Sequence, residues 1–430
     1  MNTAISSVSA YRIWDSRGRP TVEVEAVLHC GARGRGLAPA GASRGKHEAV
    51  DLRDGGESYG GYGVSQAIAG VNDCIAPALA GLDAMDQRSV DAAIIALDPT
   101  PAKAALGGNA TIAASMAVLH AAAAAAGQPL WQHLAGAGKV RLPMPQIQIF
   151  GGGAHAQRRV DIQDFLVIPT GAGCFDQALT MVADVYRAAG AIMERRESRY
   201  GVADEGGWWP VFNGNEQALE TLTEAIGSAG YGGGEVRIAL DIAASEFYAD
   251  GHYHLAADGL VLDRDGWLDL LCRWLERYPI LSIEDPVVEH DDQGMRQLTE
   301  AVGERIQIVG DDYLVTNAAR IAAASRQRCG NAVLIKPNQV GTITQAEEAL
   351  LEAQRAGWGA IVSARSGETE DVTIAHLAVG WNAGQLKVGS ITRGERTAKW
   401  NECLRIERAG LTRDGFDPLP VLARQGAQGA

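Results

Sequence analysis

Asp241, Glu284 and Asp311 each close a short apolar run, VRIAL, ILSI and IQIVG respectively. Lys336 ends NAVLI, Arg365 follows GAIVSA, and Lys387 follows QL. Three carboxylates at matching positions, with no Cys or His beside them, are a hard oxygen ligand set suited to Mg²⁺ rather than zinc. The plainer reading of any one of these acids is a helix cap or a partner for a lysine. Their repetition at successive run ends favours a site. The cations imply an anionic substrate. A lysine placed beside other cations and a metal has its charged form disfavoured, so Lys336 is expected to have a lowered pKa and to act as a base. Arg365 and Ser366, just before GETED, supply a guanidinium fork and a hydroxyl suited to phosphate.

A stretch of helical character follows each run, which is the rhythm of βα units. A closed βα barrel gathers its chemistry at the C-terminal ends of its strands. The chain has 430 residues and is 47% hydrophobic, enough for a barrel plus a second domain. Residues 3–37 alternate in character, TVEVEAVLHC most clearly, and helical patterns follow at 64–79, 88–97 and 109–126. These form an expected N-terminal α+β domain over residues 1–142, with RLPMPQ as the linker and the barrel over residues 143–430. A net charge of −14 argues against nucleic acid and acidic membranes as partners. The Ala-rich stretch at 121–126 reads as a buried helix, not a membrane span. Six scattered cysteines without CxxC pairs, and no signal-peptide pattern, place the protein in a reducing cytoplasm.

Three loops carry weaker signals. Glu205, in Asp204-Glu205-Gly206-Gly207, could serve as a general acid over a barrel mouth. His155 lies in GGGAHAQRR. Ser43, in AGASRGKHEA, sits on a Gly-rich segment able to close over the mouth and offer a hydroxyl.

Together these segments resemble enolase over nearly the whole chain. The resemblance is carried by DSRGRPTVEVE (15–25), GASRGKHEA (41–49), GGNATIAAS (107–115), DEGG (204–207) and LDIAASEFY (240–248). It continues in SIEDP (282–286), GDDYLVTN (310–317), LIKPNQVGT (334–342) and SGETED (366–371). It implies an α/β fold, an enolase-type (βα)8 barrel with a ββαα start, capped by an N-terminal α+β domain with a lid loop. It also implies a homodimer or an assembly of dimers. By position, Asp241, Glu284 and Asp311 correspond to ligands of a tight Mg²⁺, and Ser43 to the lid ligand of a second. Lys336 corresponds to the base and Glu205 to the acid, with Asp164 beside them. His155, Arg365, Ser366 and Lys387 correspond to substrate contacts.

The sequence departs from the family on one side of the site. Ala364 stands where the family has a histidine, in S-A-R-S for S-H-R-S. Asp164 replaces a glutamate in Q-D-F for Q-E-F. Arg44, Arg158 and Arg159 add positive charge in the lid and the His loop. Lost volume and added charge lead to an expectation of an altered-substrate enzyme with a bulkier anionic group at C3, resembling carboxyphosphonoenolpyruvate synthase of phosphinate biosynthesis. Conventional dehydration of 2-phosphoglycerate is the alternative, and a non-catalytic enolase-fold protein the third.

Overall fold

The computed structural model describes residues 1–42, 45–410 and 416. The alternating segment forms an antiparallel meander of β1 (Ile5–Trp14), β2 (Pro20–Leu28) and β3 (Arg33–Leu37). Helix Gly108–Ala126 lies against it. Gly34 and Gly36 allow the close approach, because a Cβ would stand 2.1 Å from the Ala121 nitrogen at Gly34 and 2.3 Å from the Ala113 oxygen at Gly36. Any side chain there would push the helix off the sheet. By length and composition alone this helix could cross a membrane, but 78% of its most apolar window is buried in the fold.

The barrel begins inside RLPMPQ rather than after it, since β4 (Met144–Gly151) starts at Met144. Pro143 precedes the strand and Pro145 lies near its start, where a missing donor is tolerated. β5 (Asp164–Ile168) runs antiparallel to both β4 and β6 (Arg237–Asp241). Helices Phe175–Arg195 and Asn215–Ser228 lie between β5 and β6 in sequence, giving the ββαα start. A small outer meander follows, β7 (Tyr248–Ala249), β8 (His252–Leu255) and β9 (Leu260–Leu262). Then β10 (Ile280–Glu284), β11 (Gln307–Gly310), β12 (Ala332–Ile335), β13 (Gly359–Ser363) and β14 (Gly384–Ser390) close an eight-stranded barrel. Strands buried on both faces read as unbroken apolar runs. Within the barrel, Val309, Ala332, Leu334 and Ile361 pack as a small cluster of their own, apart from the main core.

Other residues cap the helices that follow the strands bearing Glu284, Asp311 and Lys336. Asp291 accepts from Gly294 N, Asn317 from Ala319 N and Arg320 N, and Thr342 from Gln345 N. Capping of those helices therefore explains neither Glu284 nor Asp311. Asp91 joins the N-terminal domain to the barrel. Its Oδ1 accepts from Ser115 Oγ (2.6 Å) and Gln87 Nε2 (3.0 Å), and its Oδ2 from the Thr344 backbone N–H (2.8 Å) at the start of helix Ile343–Arg355. Burial raises its pKa.

Candidate active site

The strand-end residues meet at the barrel mouth. Lys387 Nζ, on β14, donates to Asp241 Oδ2 (2.8 Å) and Glu284 Oε2 (2.6 Å), and lies 3.8 Å from Asp164 Oδ2. Lys336 Nζ donates to Asp311 Oδ2, and Gln339 Nε2 donates to Asp311 Oδ1 (2.9 Å). The lysine pairing weighed for single acids is thus present, but inside one shared cluster. Glu284 is pushed well above the usual carboxylate range by burial, then by Asp241 and Asp311, with Lys387 opposing. Its Oε1 is buried and has no hydrogen-bond partner among the described residues. A buried carboxylate oxygen on a residue whose charge Asp241 and Asp311 both oppose fits a divalent cation, which would relieve both the repulsion and the missing contact. Behind it, Asp285 accepts the backbone N–H of Asp311 (2.8 Å) and of Asp312 (2.7 Å) and so fixes the Asp311 turn. Asp285 itself adopts φ +42°, a strained conformation for a side-chain-bearing residue.

Lys336 differs from expectation. Burial lowers its pKa and Arg365 and Lys387 act the same way, but Asp311 and Glu284 outweigh them and the net direction is upward.

The opposite wall is built by β4, β5 and the Glu205 turn. His155 Nδ1 lies 3.0 Å from Asp164 Oδ1; its Nε2 lies 3.2 Å from Ser366 Oγ and 3.7 Å from Glu205 Oε1. Burial disfavours the charged ring, but Asp164 and Glu205 carry its pKa from 6.5 up to about 9. Glu205 moves the other way: burial raises it, and His155, Arg396 and Lys387 bring it below its ordinary value. The folded state therefore binds the His155 proton more tightly than the unfolded chain does. This stabilisation is complete below about pH 6.5 and is lost as pH rises through about 9. The ring should titrate near that upper value by NMR. Thermal stability should fall across that window, and fall less in His155→Gln. A midpoint near 6.5 would remove the ion pair from this account.

Arg365 is held by the N-terminal domain. Its Nη1 donates to Glu48 Oε2 (2.9 Å), its Nη2 contacts Glu48 Oε1 (3.3 Å), and its backbone N–H donates to Glu368 Oε1 (3.0 Å). Arg396 donates to the Arg365, Val388 and Ser366 carbonyls and so braces the Arg365-Ser366 corner. Sequence reasoning missed Glu48, Glu368, Arg396 and Gln148, and took Asp285 only as a charge at a strand end. Glu48, Glu368 and Asp285 lie inside or beside the quoted motifs and so were within reach; Arg396 and Gln148 carry no local signal.

Ala364 lines the pocket with His155, Glu205, Lys336 and Lys387. Asp164 also lines it, with Oδ1 engaged by His155 and Gln148. Arg158 is turned outward onto the loop after β6, donating to Glu246 Oε2 (2.7 Å) and to the Glu246 carbonyl (3.1 Å). Arg159 is exposed, and neither arginine lines the pocket. Ser43 and Arg44 lie outside the described residues.

A ββαα-started barrel with an acid nest, two lysines and a buried His–carboxylate wall defines an enolase-type lyase. Residues 5–134 match the family model described as Enolase, N-terminal domain, and residues 139–414 match Enolase, C-terminal TIM barrel domain. The chain belongs to the enolase family, whose members are Mg²⁺-dependent lyases acting on a small phosphorylated substrate. It is 48% identical over 428 residues to the protein named Enolase 1 of Desulfitobacterium hafniense (strain Y51), covering 99% of this chain and 98% of that protein. This full-length identity overturns the expectation of a diverged enzyme with a bulkier anionic C3 group and favours the conventional alternative. The geometry gives a physical reason. The positive charge credited to Arg158 lies on Glu246 at the surface, away from the pocket.

Proposed function

We propose that the protein interconverts 2-phosphoglycerate with phosphoenolpyruvate and water. The observation that carries this reading is the placement of Lys336 and the His155–Glu205 pair around one pocket, beside a nest of three carboxylates. The likeness to a protein named enolase adds support.

Asp241, Glu284 and Asp311 would hold Mg²⁺, which when bound supplies the positive charge that a substrate carboxylate needs as the neighbouring carbon loses its proton. Enolase-superfamily sites in general pair a Lys or His base with Mg²⁺. The resemblance adds a second ion, with Ser43 as its lid ligand. Lys336 takes the C2 proton. Arg365 and Ser366 bind the phosphate, and Lys387 adds charge to the carboxylate side. The leaving C3 hydroxyl needs a proton from the opposite wall. His155 and Glu205, 3.7 Å apart on that wall, would together supply it. This arrangement serves where Ala364 leaves the family's imidazole absent. Assembly as a homodimer or as dimers of dimers, in the cytoplasm, completes the proposal; it rests on the family resemblance and the unpaired cysteines.

Purified protein with Mg²⁺ should turn over 2-phosphoglycerate within the ordinary enzyme range, roughly 1–1000 per second, read as phosphoenolpyruvate absorbance. Turnover below about one per hundred seconds at saturating substrate would defeat the reading.

A further inference from the structure

Gln148 stands on β4 at 0% exposure, and no step above uses it. Its carboxamide is committed at both ends. Nε2 donates to Asp164 Oδ1, the oxygen that also faces His155 Nδ1. Oε1 accepts the backbone N–H of Gly207 (2.8 Å), two residues beyond Glu205. Space for the amide depends on Gly207, where a Cβ would stand 2.5 Å from Gln148 Oε1. Asp164 and Glu205 sit on separate elements, and each faces one nitrogen of the same imidazole. One buried amide therefore bridges the supports of both carboxylates.

We propose that Gln148 is a positioning residue that sets the spacing between the Glu205 turn and the Asp164–His155 pair, so that the imidazole and its two flanking carboxylates act as one unit. Asp164 is one methylene shorter than the glutamate of related sequences, and the length of Gln148 lets the amide reach it. A misplacement of about 1 Å in a catalytic group costs on the order of 100-fold in rate. The activity readout rests on the function proposed above; the spectroscopic readout does not.

Gln148→Met keeps the volume and removes both hydrogen bonds. It should lower kcat with 2-phosphoglycerate on the order of 100-fold and leave KM within about threefold, because Arg365 is held by Glu48 and not by Gln148. The Gly207 amide should exchange with solvent at least about tenfold faster, as expected for a lost protecting bond, and the His155 ring nitrogen shifts should move. Gln148→Asn, the milder variant, withdraws the amide by one methylene. Adding Asp164→Glu extends the carboxylate by one, and the double variant should regain about tenfold or more in kcat over Gln148→Asn, the coupling expected of two residues in one hydrogen-bond network. Full kcat in Gln148→Met with only a lower Tm would mark a structural side chain and overturn the proposal. A double variant no better than Gln148→Asn would do the same. If wild-type protein fails to turn over 2-phosphoglycerate, the proposed function falls alone. Unchanged Gly207 exchange and unchanged His155 shifts in Gln148→Met would then overturn this inference, and the expected shifts would sustain it.

Discussion

Lys336→Ala should lower turnover of 2-phosphoglycerate roughly 100- to 10,000-fold, the range that a positioned general base contributes. It should also abolish exchange of the substrate's C2 proton with solvent deuterium. Phosphate-ligand affinity should change little, because Arg365 is braced by Glu48 and Ser366 by Arg396, not by Lys336. The base must lose its proton to work, and Asp311 holds that proton in place here. Commitment of Asp311 to a cation would weaken that hold, so one carboxylate links the metal role to the base role. The same connection makes Asp311→Asn a poor test of either role alone. Isotope exchange at the wild-type rate in Lys336→Ala would refute the assignment.

Glu284→Gln should erase the effect of Mg²⁺ on both activity and stability. Wild-type protein at Mg²⁺ about 100-fold above its Kd should gain roughly 2.7 kcal/mol against unfolding, seen as a higher Tm than in chelator. Glu284 presents the buried oxygen without a partner among the described residues, and Asp241 and Asp311 raise its pKa beyond what burial does. A glutamine there keeps the shape and removes the charge the ion needs. Differential scanning calorimetry with and without Mg²⁺ reads the difference. A full Mg²⁺-induced rise in Glu284→Gln would sink the ligand assignment, as would a wild-type protein indifferent to the ion.

Strand ends were legible because parallel strands buried on both faces leave unbroken apolar runs, and a charge breaking such a run is conspicuous. Asp241, Glu284, Asp311, Lys336, Arg365 and Lys387 all surfaced this way. RLPMPQ misled because two prolines mark a linker more often than a strand start, and β4 begins there. Residues acting through long-range hydrogen bonds left no local trace. Gln148 reads as one of two glutamines in an otherwise apolar strand, and Arg396 as a charge on a helix with little amphipathic contrast. Side-chain direction was equally hidden. Arg158 and Arg159 looked like added charge for a substrate, but Arg158 reaches Glu246 outside the pocket. The direction of the Lys336 shift depended on which neighbour lay closest, a matter of ångströms that spacing along the chain cannot supply.

The Asp91 junction has a consequence for how the chain is made. Its partner Thr344 lies 253 residues downstream. At about 5–20 residues per second on the ribosome, the acceptor waits on the order of tens of seconds for its donor. Throughout that interval Asp91 can reach Ser115 and Gln87 but not the barrel. The contact that joins the N-terminal domain to the barrel at Asp91 is therefore made only after most of the barrel has emerged.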